Sequence, residues 1–589
     1  MLKDILKRAK NISNNKATNI NQSKKGKKQE NNAKNTKFEK DIMNNGVIFT
    51  IIAIVAMITI SIALTPITLQ NDTFYTIKIG EHISQNGIDM KDPFSWHEDL
   101  SYTYPHWAYD LATYYIYNSF GMTGIYITTC ILSAILGVTI YLVNAKLTKN
   151  KVLSFIIAIG VMYLIRHYIA ARAQLVTFIL FGITIFLIEK FLETRKRRYA
   201  ICLIIIPTII ANIHVAVFPF YFILYLPYIA EYILAELGEL IFYRKAQVKI
   251  LKYKIKKLSK NGKSKEKVEN LKNELVKLEE TIDKVKIKRT KELQNPYKIR
   301  ITKNNNVRLL ILVMIICAFT GLLTPLGTTP YTYLVKTMQG NTTQNINEHL
   351  PMTIVQETDV ICALILLLAP LIFTKAKIKL SDLFMIGGLC FLMFASKRQL
   401  TMFAIVGSIV LNRLLNEILI LYHNKDYIKK WEKALTSLIG IIILLITVLG
   451  LTYYFAKDKV RDQYVSESLY PVQACDYILE NIDLKTARFY NEYNYGSYML
   501  FRGIPVFIDS RADLYAPEFS GKEEDIFMDF IDTSNIGKFY EDTFEKYDIT
   551  HVICYKNSKM NMIIIKTEDS NYKELYSDNN FVVYERVKK

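Results

Sequence analysis

"VIFTIIAIVAMITISIALTPITLQNDTFYTIKIGEHISQNG", residues 47–87, sets an oily run of membrane length directly against a short polar segment. A helix crosses a bilayer with about 20 mostly apolar residues, somewhat fewer when its flanks snorkel, and Val47–Leu64 meets that need. Asp72 follows within a few residues of the point where the chain leaves the apolar layer. Aromatics come next, then a half-helical pattern, then Gly87. An acid in that place has two readings. Asp before "TFYTIKIGEHI" is a good helix start, and a carboxylate at a membrane surface can also take a proton from an attacking hydroxyl.

The oily pattern recurs along the chain. Of 589 residues 51% are hydrophobic, yet the formal net charge is +20. That pairing excludes a soluble domain and a disordered chain, and it fits a multi-span membrane protein with basic loops. About eleven segments read as spans: Val47–Leu64, Gly121–Val143, Val152–Tyr168, Leu175–Phe191, Ala200–Val217, Phe218–Leu237, Leu309–Leu323, Val360–Phe373, Leu383–Ala395, Thr401–Leu421 and Leu435–Phe455. With a cytoplasmic N-terminus, "AKLTKNK", "ETRKRR", the stretch after Leu237, "KAKIK" and "NKDYIKKWEK" all fall inside, as the positive-inside rule asks. The odd count places everything after about Lys457 outside, in a multi-pass protein of the plasma membrane. No cleavable signal is visible ahead of Val47.

This pattern divides the chain into parts. Residues 1–45 form a basic, disordered cytoplasmic tail whose role is to set topology rather than to bind nucleic acid. Residues 46–242 are a transmembrane core containing a first external loop at 66–120. Residues 243–306 are a cytoplasmic insertion. Its Val268, Leu271, Leu275, Leu278, Ile282 and Val285 make a short heptad seam, and Leu251, Ile255 and Leu258 run out of phase with it. "KNGK" between the two is a turn signal, so a helical hairpin that could dock a cytoplasmic partner is expected. Residues 307–456 complete the core. Residues 457–589 alternate strands ("ARFYN", "IPVFID", "HVICY", "FVVYERV") with helices near Val472–Glu480 and Lys522–Ile531, the pattern of a small α/β domain. The fold class is thus an α-helical multi-span membrane protein with a C-terminal extracytoplasmic α/β domain. Most cysteines lie in apolar stretches; only Cys475 and Cys554 fall in a polar one.

With the sides fixed, ionisable residues gather at the outer turns: Asp72, then Arg166, His167 and Arg172, then His214, then Lys397 and Arg398. Charges at membrane depth cost on the order of 2.5–3.5 kcal/mol on insertion scales. Each could merely snorkel to the headgroups. Together they suit an anionic lipid ligand, because arginine matches phosphate oxygens with a two-pronged fork.

Several stretches resemble a bacterial branch of the GT-C superfamily, multi-span glycosyltransferases that use polyprenyl-phosphate-linked sugars. "NDTFYTIKIGEHISQNGIDMKDPFSW" is similar to the first external loop of that branch, and "WAYDLATYYIYNSFGMTGIYI" to the helix that leads from it into the second span. "RAQLVTFIL", "ANIHVAV", "LLTPLGTTPYTYL", "INEHLPMTI" and "FYNEYNYGSYMLFRGIPVFIDSRADLY" resemble further segments in the same order, with Ala173, Thr324, His349 and Ser510 as departures. The resemblance implies a catalytic base at Asp72, sometimes assisted by a divalent metal (Mg or Mn), and a sugar acceptor that is a glycan, lipid or protein of the cell envelope. Glu81 and Asp92 are secondary acids toward the substrate, set against a solvated helix face and a turn-forming Asp-Pro.

"FIDSRADLY" packs Asp509, Arg511, Asp513 and Tyr515 into one short polar cluster, with Asn491 and Tyr493 expected beside it. Such a cluster after a strand can touch ligand, or it can be an internal network that holds the domain to the membrane part. The competing function class is a transporter, flippase or scaffold for lipid-linked glycans. A transporter should carry internal repeats and helices broken near mid-membrane, and neither is evident. Walker, Rossmann and HExxH motifs are absent from the sequence.

Overall fold

The computed structural model describes residues 45–239, 241–260, 265–292, 298–423, 425–459, 461–566 and 571–587. The expected basic tail and the expected hairpin turn at 261–264 lie outside the described residues. Helices fall on each stretch expected to span. Six of them are long and apolar enough to cross a membrane: Asn45–Leu64 (α1), Trp107–Thr148 (α3), Ala173–Thr194 (α5), Val215–Glu236, Lys397–His423 and Leu438–Lys459. Lys151–Leu164 (α4), Val307–Leu322, Thr358–Phe373 and Leu380–Ala395 are shorter apolar helices. Arg197–Ile213 (α6) carries Pro207 inside it.

Asn71–Asn86 (α2) follows α1 after a short non-helical break with bends at residues 65, 67 and 68. Its apolar side, including Phe74, Ile77, Ile79 and Ile83, is buried, and Gly87 closes it at φ 78°. That backbone angle favours glycine. Gly80 lets α2 lie against the start of α3, since a Cβ there would come within 2.1 Å of the Asp110 carbonyl oxygen. The expected outer helix and second span are both found in α3, separated by Gly121 at φ 62°. The inserted arm is a pair of helices, Ile241–Lys260 and Lys265–Glu292, with Leu251 and Ile282 buried and Lys252 paired to Glu279 at 2.9 Å.

The C-terminal part holds a four-stranded sheet of Phe489–Tyr490 (β3), His551–Tyr555 (β4), Tyr572–Ser577 (β5) and Phe581–Arg586 (β6), in the order β3-β4-β6-β5. Two earlier short strands, Ile299–Arg300 (β1) and Ile378–Lys379 (β2), pair in parallel with each other. β3 runs parallel to β4, and the other pairings are antiparallel.

"IPVFID" does not join this sheet as expected. Val506 makes only an isolated bridge to Ser95 of the first loop. The reason is visible in its hydrogen bonds. Asn491 stands in for a neighbouring strand, accepting from Phe507 N at 2.8 Å and donating to Ile508 O at 2.7 Å. Ser95 Oγ donates to Val506 O, and His97 Nε2 lies 3.0 Å from Phe507 O. Buried backbone groups need partners, and here side chains supply them. Cys475 and Cys554 are both buried and free.

One apolar core joins the first loop to the C-terminal part. Phe74, Ile79, Leu100 and Tyr104 pack in the same cluster as Tyr470, Phe489, Val506, Ile508 and Val583. The C-terminal part is therefore seated on α2, through its helix Tyr493–Phe501, rather than tethered beside it. Two further cores lie within the apolar helices.

Candidate active site

Asp72 lies in the first turn of α2, where Gln70 occupies the capping position and makes no side-chain cap hydrogen bond. The helix-cap reading of Asp72 is thus not what the structure presents. Two contacts fix this turn in space. Asn71 Nδ2 donates to Tyr493 O at 2.9 Å, and Thr73 Oγ1 reaches Ala171 O at 3.5 Å. The second contact brings α2 to the turn that carries Arg172. One guanidinium nitrogen of Arg172, Nη2, pairs with Asp72 Oδ2, and Nη1 pairs with Glu348 Oε1 at 3.0 Å. Burial works against the charge on Arg172, and the two carboxylates more than offset it. Burial likewise pushes the Glu348 carboxyl up, but Arg172 and Arg398 outweigh it and hold the group at about 2.

Glu348 was not among the sequence candidates. The signal for it was the need for counter-charge: outer cations break the positive-inside trend, so acids must face them. The segment bearing Glu348 is strapped onto the turn of Lys397 and Arg398, whose backbone N–H groups donate to Leu350 O and Glu348 O, each at 3.0 Å. Lys397 Nζ also donates to Asn347 Oδ1 at 3.2 Å. With its amide oxygen toward Arg398, Gln174 accepts from Nε at 2.7 Å. Arg166 pairs with Asp359 at 3.0 Å and lies over the Tyr163 ring.

These groups surround a cavity of about 340 Å³, lined among others by Gln70, Arg166, His167, Arg172, Glu348 and Lys397. Asp72 meets this cavity through Arg172 rather than by lining it. The structure thus gathers Arg166, His167, Arg172 and Lys397, with Asp72 and Arg398 attached. His214 is buried nearby, with its ring centroid 5.0 Å from that of His106 and Nδ1 3.4 Å from Thr177 Oγ1. Burial, then the charges of Arg398 and Arg172, pushes His106 down to about 3. Glu81 stands apart, paired with Lys78 on α2.

The "FIDSRADLY" residues form a different kind of cluster. Arg511 Nε and Nη2 grip Asp509 at 2.9 and 2.7 Å, and Nη1 reaches Asp92 at 2.6 Å. Tyr515 OH donates to Asp509 at 2.6 Å, and the rings of Tyr102 and Phe94 lie against the guanidinium. Asp92 also accepts from Ser95 N at 2.8 Å, so it makes the expected turn as well as the ion pair. Asp513 accepts from Tyr333 OH at 2.7 Å and Thr342 Oγ1 at 3.0 Å. Tyr493 OH donates to Ser510 O at 3.1 Å.

No three His, Cys, Asp or Glu side chains converge among the described residues. Asp72 and Glu348 instead share one guanidinium.

No family model and no curated protein matches the chain. Among solved structures, it is similar to an Archaeoglobus fulgidus oligosaccharyltransferase tethered with an acceptor peptide containing the NVT sequon. The likeness has a TM-score of 0.50 at 12% identity and covers 92% of this chain and 74% of that one. The apo form of the same enzyme aligns with a TM-score of 0.49 at 10% identity, over 90% and 72% of the two chains. At such identity the likeness of the first structure speaks for the fold alone. The fold and the apolar helices define a membrane protein of oligosaccharyltransferase-like architecture.

Proposed function

We propose that the chain is a membrane glycosyltransferase that moves a sugar from a polyprenyl-phosphate-linked donor to a cell-envelope acceptor at the outer face. The observation that carries this reading is the Asp72–Arg172–Glu348 chain of charges at the edge of a cavity lined by Arg166, Arg172 and Lys397 and by the acids Glu348, Glu357 and Asp359. The reading includes the eleven-span topology, with the tail and hairpin inside and the C-terminal sheet outside, because basic loops then share one side.

In this mechanism the donor phosphate enters the cavity and meets the Arg172 fork, with Arg166 and Lys397 adding charge. Phosphate competes with Asp72 for the guanidinium, so donor binding releases the carboxylate at the moment it is needed. The acceptor hydroxyl oxygen then attacks the anomeric carbon from the face opposite the phosphate. The bond from that carbon to the phosphate oxygen breaks, and the lipid phosphate leaves with the electron pair. Asp72 takes the hydroxyl proton, and configuration at the carbon inverts.

The test is Asp72→Asn, which keeps the shape and removes the basic oxygen. Transfer of sugar from a polyprenyl-phosphate donor by the purified protein should fall about 100- to 10,000-fold, with donor binding retained. Transfer at the parental rate would overturn the enzyme assignment of Asp72. Donor binding with no transfer by the parent itself would favour a carrier or scaffold for lipid-linked glycans.

A further inference from the structure

At the end of the helix bundle opposite to Asp72 lies a second cavity, of about 510 Å³, lined by Arg195, Glu236, Lys303, Asn305, Asn306, Arg308 and Leu309. Its one acid is already engaged: Glu236 pairs with Lys303 at 2.9 Å and Arg308 at 3.1 Å, and it accepts from Tyr232 OH at 2.7 Å. Three cations against one carboxylate leave the walls with an excess of positive charge. Arg195 adds to it from the exposed C-cap of α5, at φ 55°, a position where glycine or asparagine is the usual residue. Lys196, Arg197 and Arg198 follow it directly.

The cavity is polar on one side only. Leu309 stands on its wall, and below it the apolar helix from Val307 presents exposed Leu312, Ile315, Ile316 and Phe319. The neighbouring α6, which packs against that helix, presents exposed Ile201, Ile205 and Ile209. A basic pocket that opens onto two apolar helix stripes has the chemistry of a phospholipid, with a phosphate for the cations and acyl chains for the stripes. A free phosphate would use only the upper half of this arrangement.

We propose that this cavity binds the headgroup of an anionic phospholipid, whose chains lie along Leu312–Phe319 and Ile201–Ile209. The site is independent of the transfer reaction. Only its assignment to the inner leaflet rests on the topology proposed above. A zwitterionic headgroup would bring a cation to an already positive wall, so net anionic lipids are selected.

The experiment uses the full-length protein in detergent and follows its thermal unfolding midpoint as lipid is added. Dioleoylphosphatidylglycerol should raise the midpoint, while dioleoylphosphatidylcholine and sodium phosphate at matched ionic strength should leave it nearly unchanged. Arg195→Glu should raise the phosphatidylglycerol concentration for half the shift about tenfold or more, the scale of one lost charge-assisted contact. Arg195 is exposed and is not part of the Glu236 network, so this variant leaves that network in place. Lys485→Glu, an exposed charge reversal in the C-terminal part, should bind like the parent. Equal shifts with both lipids, or an unchanged response of Arg195→Glu, would overturn the proposal. A shift with sodium phosphate as large as with phosphatidylglycerol would identify a free-anion site and overturn the lipid assignment.

Discussion

Arg511 and Arg172 both sit between two carboxylates, and their surroundings give them opposite roles. Arg511, held by Asp509 and Asp92, has a side chain 3% exposed, and the paired carboxylates are at 0%. Arg172, held by Asp72 and Glu348, is 23% exposed, against 16% and 40% for its partners, and faces a cavity. In the first cluster nearly every polar atom has a protein partner, so nothing is left to offer a ligand. In the second, an open wall lets another anion compete for the guanidinium. The same three groups make a lock where water is excluded and an exchangeable clamp where it is not. Burial decides between them.

The largest effect should come from breaking the lock. Removing one partner of a buried, hydrogen-bonded ion pair leaves uncompensated charge and costs about 3–5 kcal/mol. Arg511→Met leaves Asp509 and Asp92 facing each other where the first loop meets the C-terminal part. The purified variant should unfold at a much lower temperature, and protease should cut between the first loop and the sheet. A midpoint close to that of the parent would mean that the cluster is not what joins the two regions.

A smaller effect concerns an acid of the C-terminal part that stands outside the lock. Glu492 follows Asn491 directly, and burial pushes its carboxyl up to about 7, against a weaker pull from the Tyr555 backbone. The folded state therefore keeps a proton that the unfolded state has lost between about pH 4.5 and pH 7. Stability must fall as pH rises through that window, by up to about 3 kcal/mol at 1.36 kcal/mol per unit. Glu492→Gln cannot ionise, so its unfolding midpoint should change less between pH 5 and pH 8, and it should exceed the parent's at pH 8. Parallel pH curves for the two proteins would show that Glu492 is ionised in the fold.

The contrast also marks what the sequence could convey. Local signals carried well: the oily runs lie on helices, Gly87 ends α2, and "HVICY" is β4 as its apolar composition suggests. The gathering of Arg166, Arg172 and Lys397 followed from topology, because one assignment of sides put all of them on one face. What failed to show was long-range. "IPVFID" has strand composition, yet its backbone is satisfied by Asn491, Ser95 and His97, which no pattern within the segment could reveal. The C-terminal part reads as a separate domain because strand-like and helix-like stretches alternate along it over a domain's length. Its core is nonetheless shared with α2, across most of the chain. Arg511 finds Asp92 at a separation of 419 residues, and Arg172 finds Glu348 at 176. Pairings at such distance depend on tertiary packing, and one sequence carries no trace of them.

Glu348→Gln gives the smallest effect and the sharpest division between lock and clamp. The Glu348 side chain is 40% exposed, so solvent screens its pairing with Arg172 and the tie should contribute no more than about 1 kcal/mol to stability. The amide keeps the shape and can still accept a hydrogen bond, but it withdraws the charge that competes with an incoming phosphate. Thermal unfolding should therefore stay within a few degrees of the parent. Affinity for polyprenyl phosphate, measured by titration in detergent, should rise by about two- to fivefold, the equivalent of roughly 0.4–1 kcal/mol. The pH dependence of that affinity should be the same in both proteins from pH 5 to pH 8. Arg172 and Arg398 hold Glu348 ionised down to about 2, so its charge contributes equally across that range. Weaker phosphate binding in Glu348→Gln would place Glu348 on the substrate rather than on the clamp. A loss of stability as large as that of Arg511→Met would mean that both arginines are locks, and that the cavity owes its shape to structure alone.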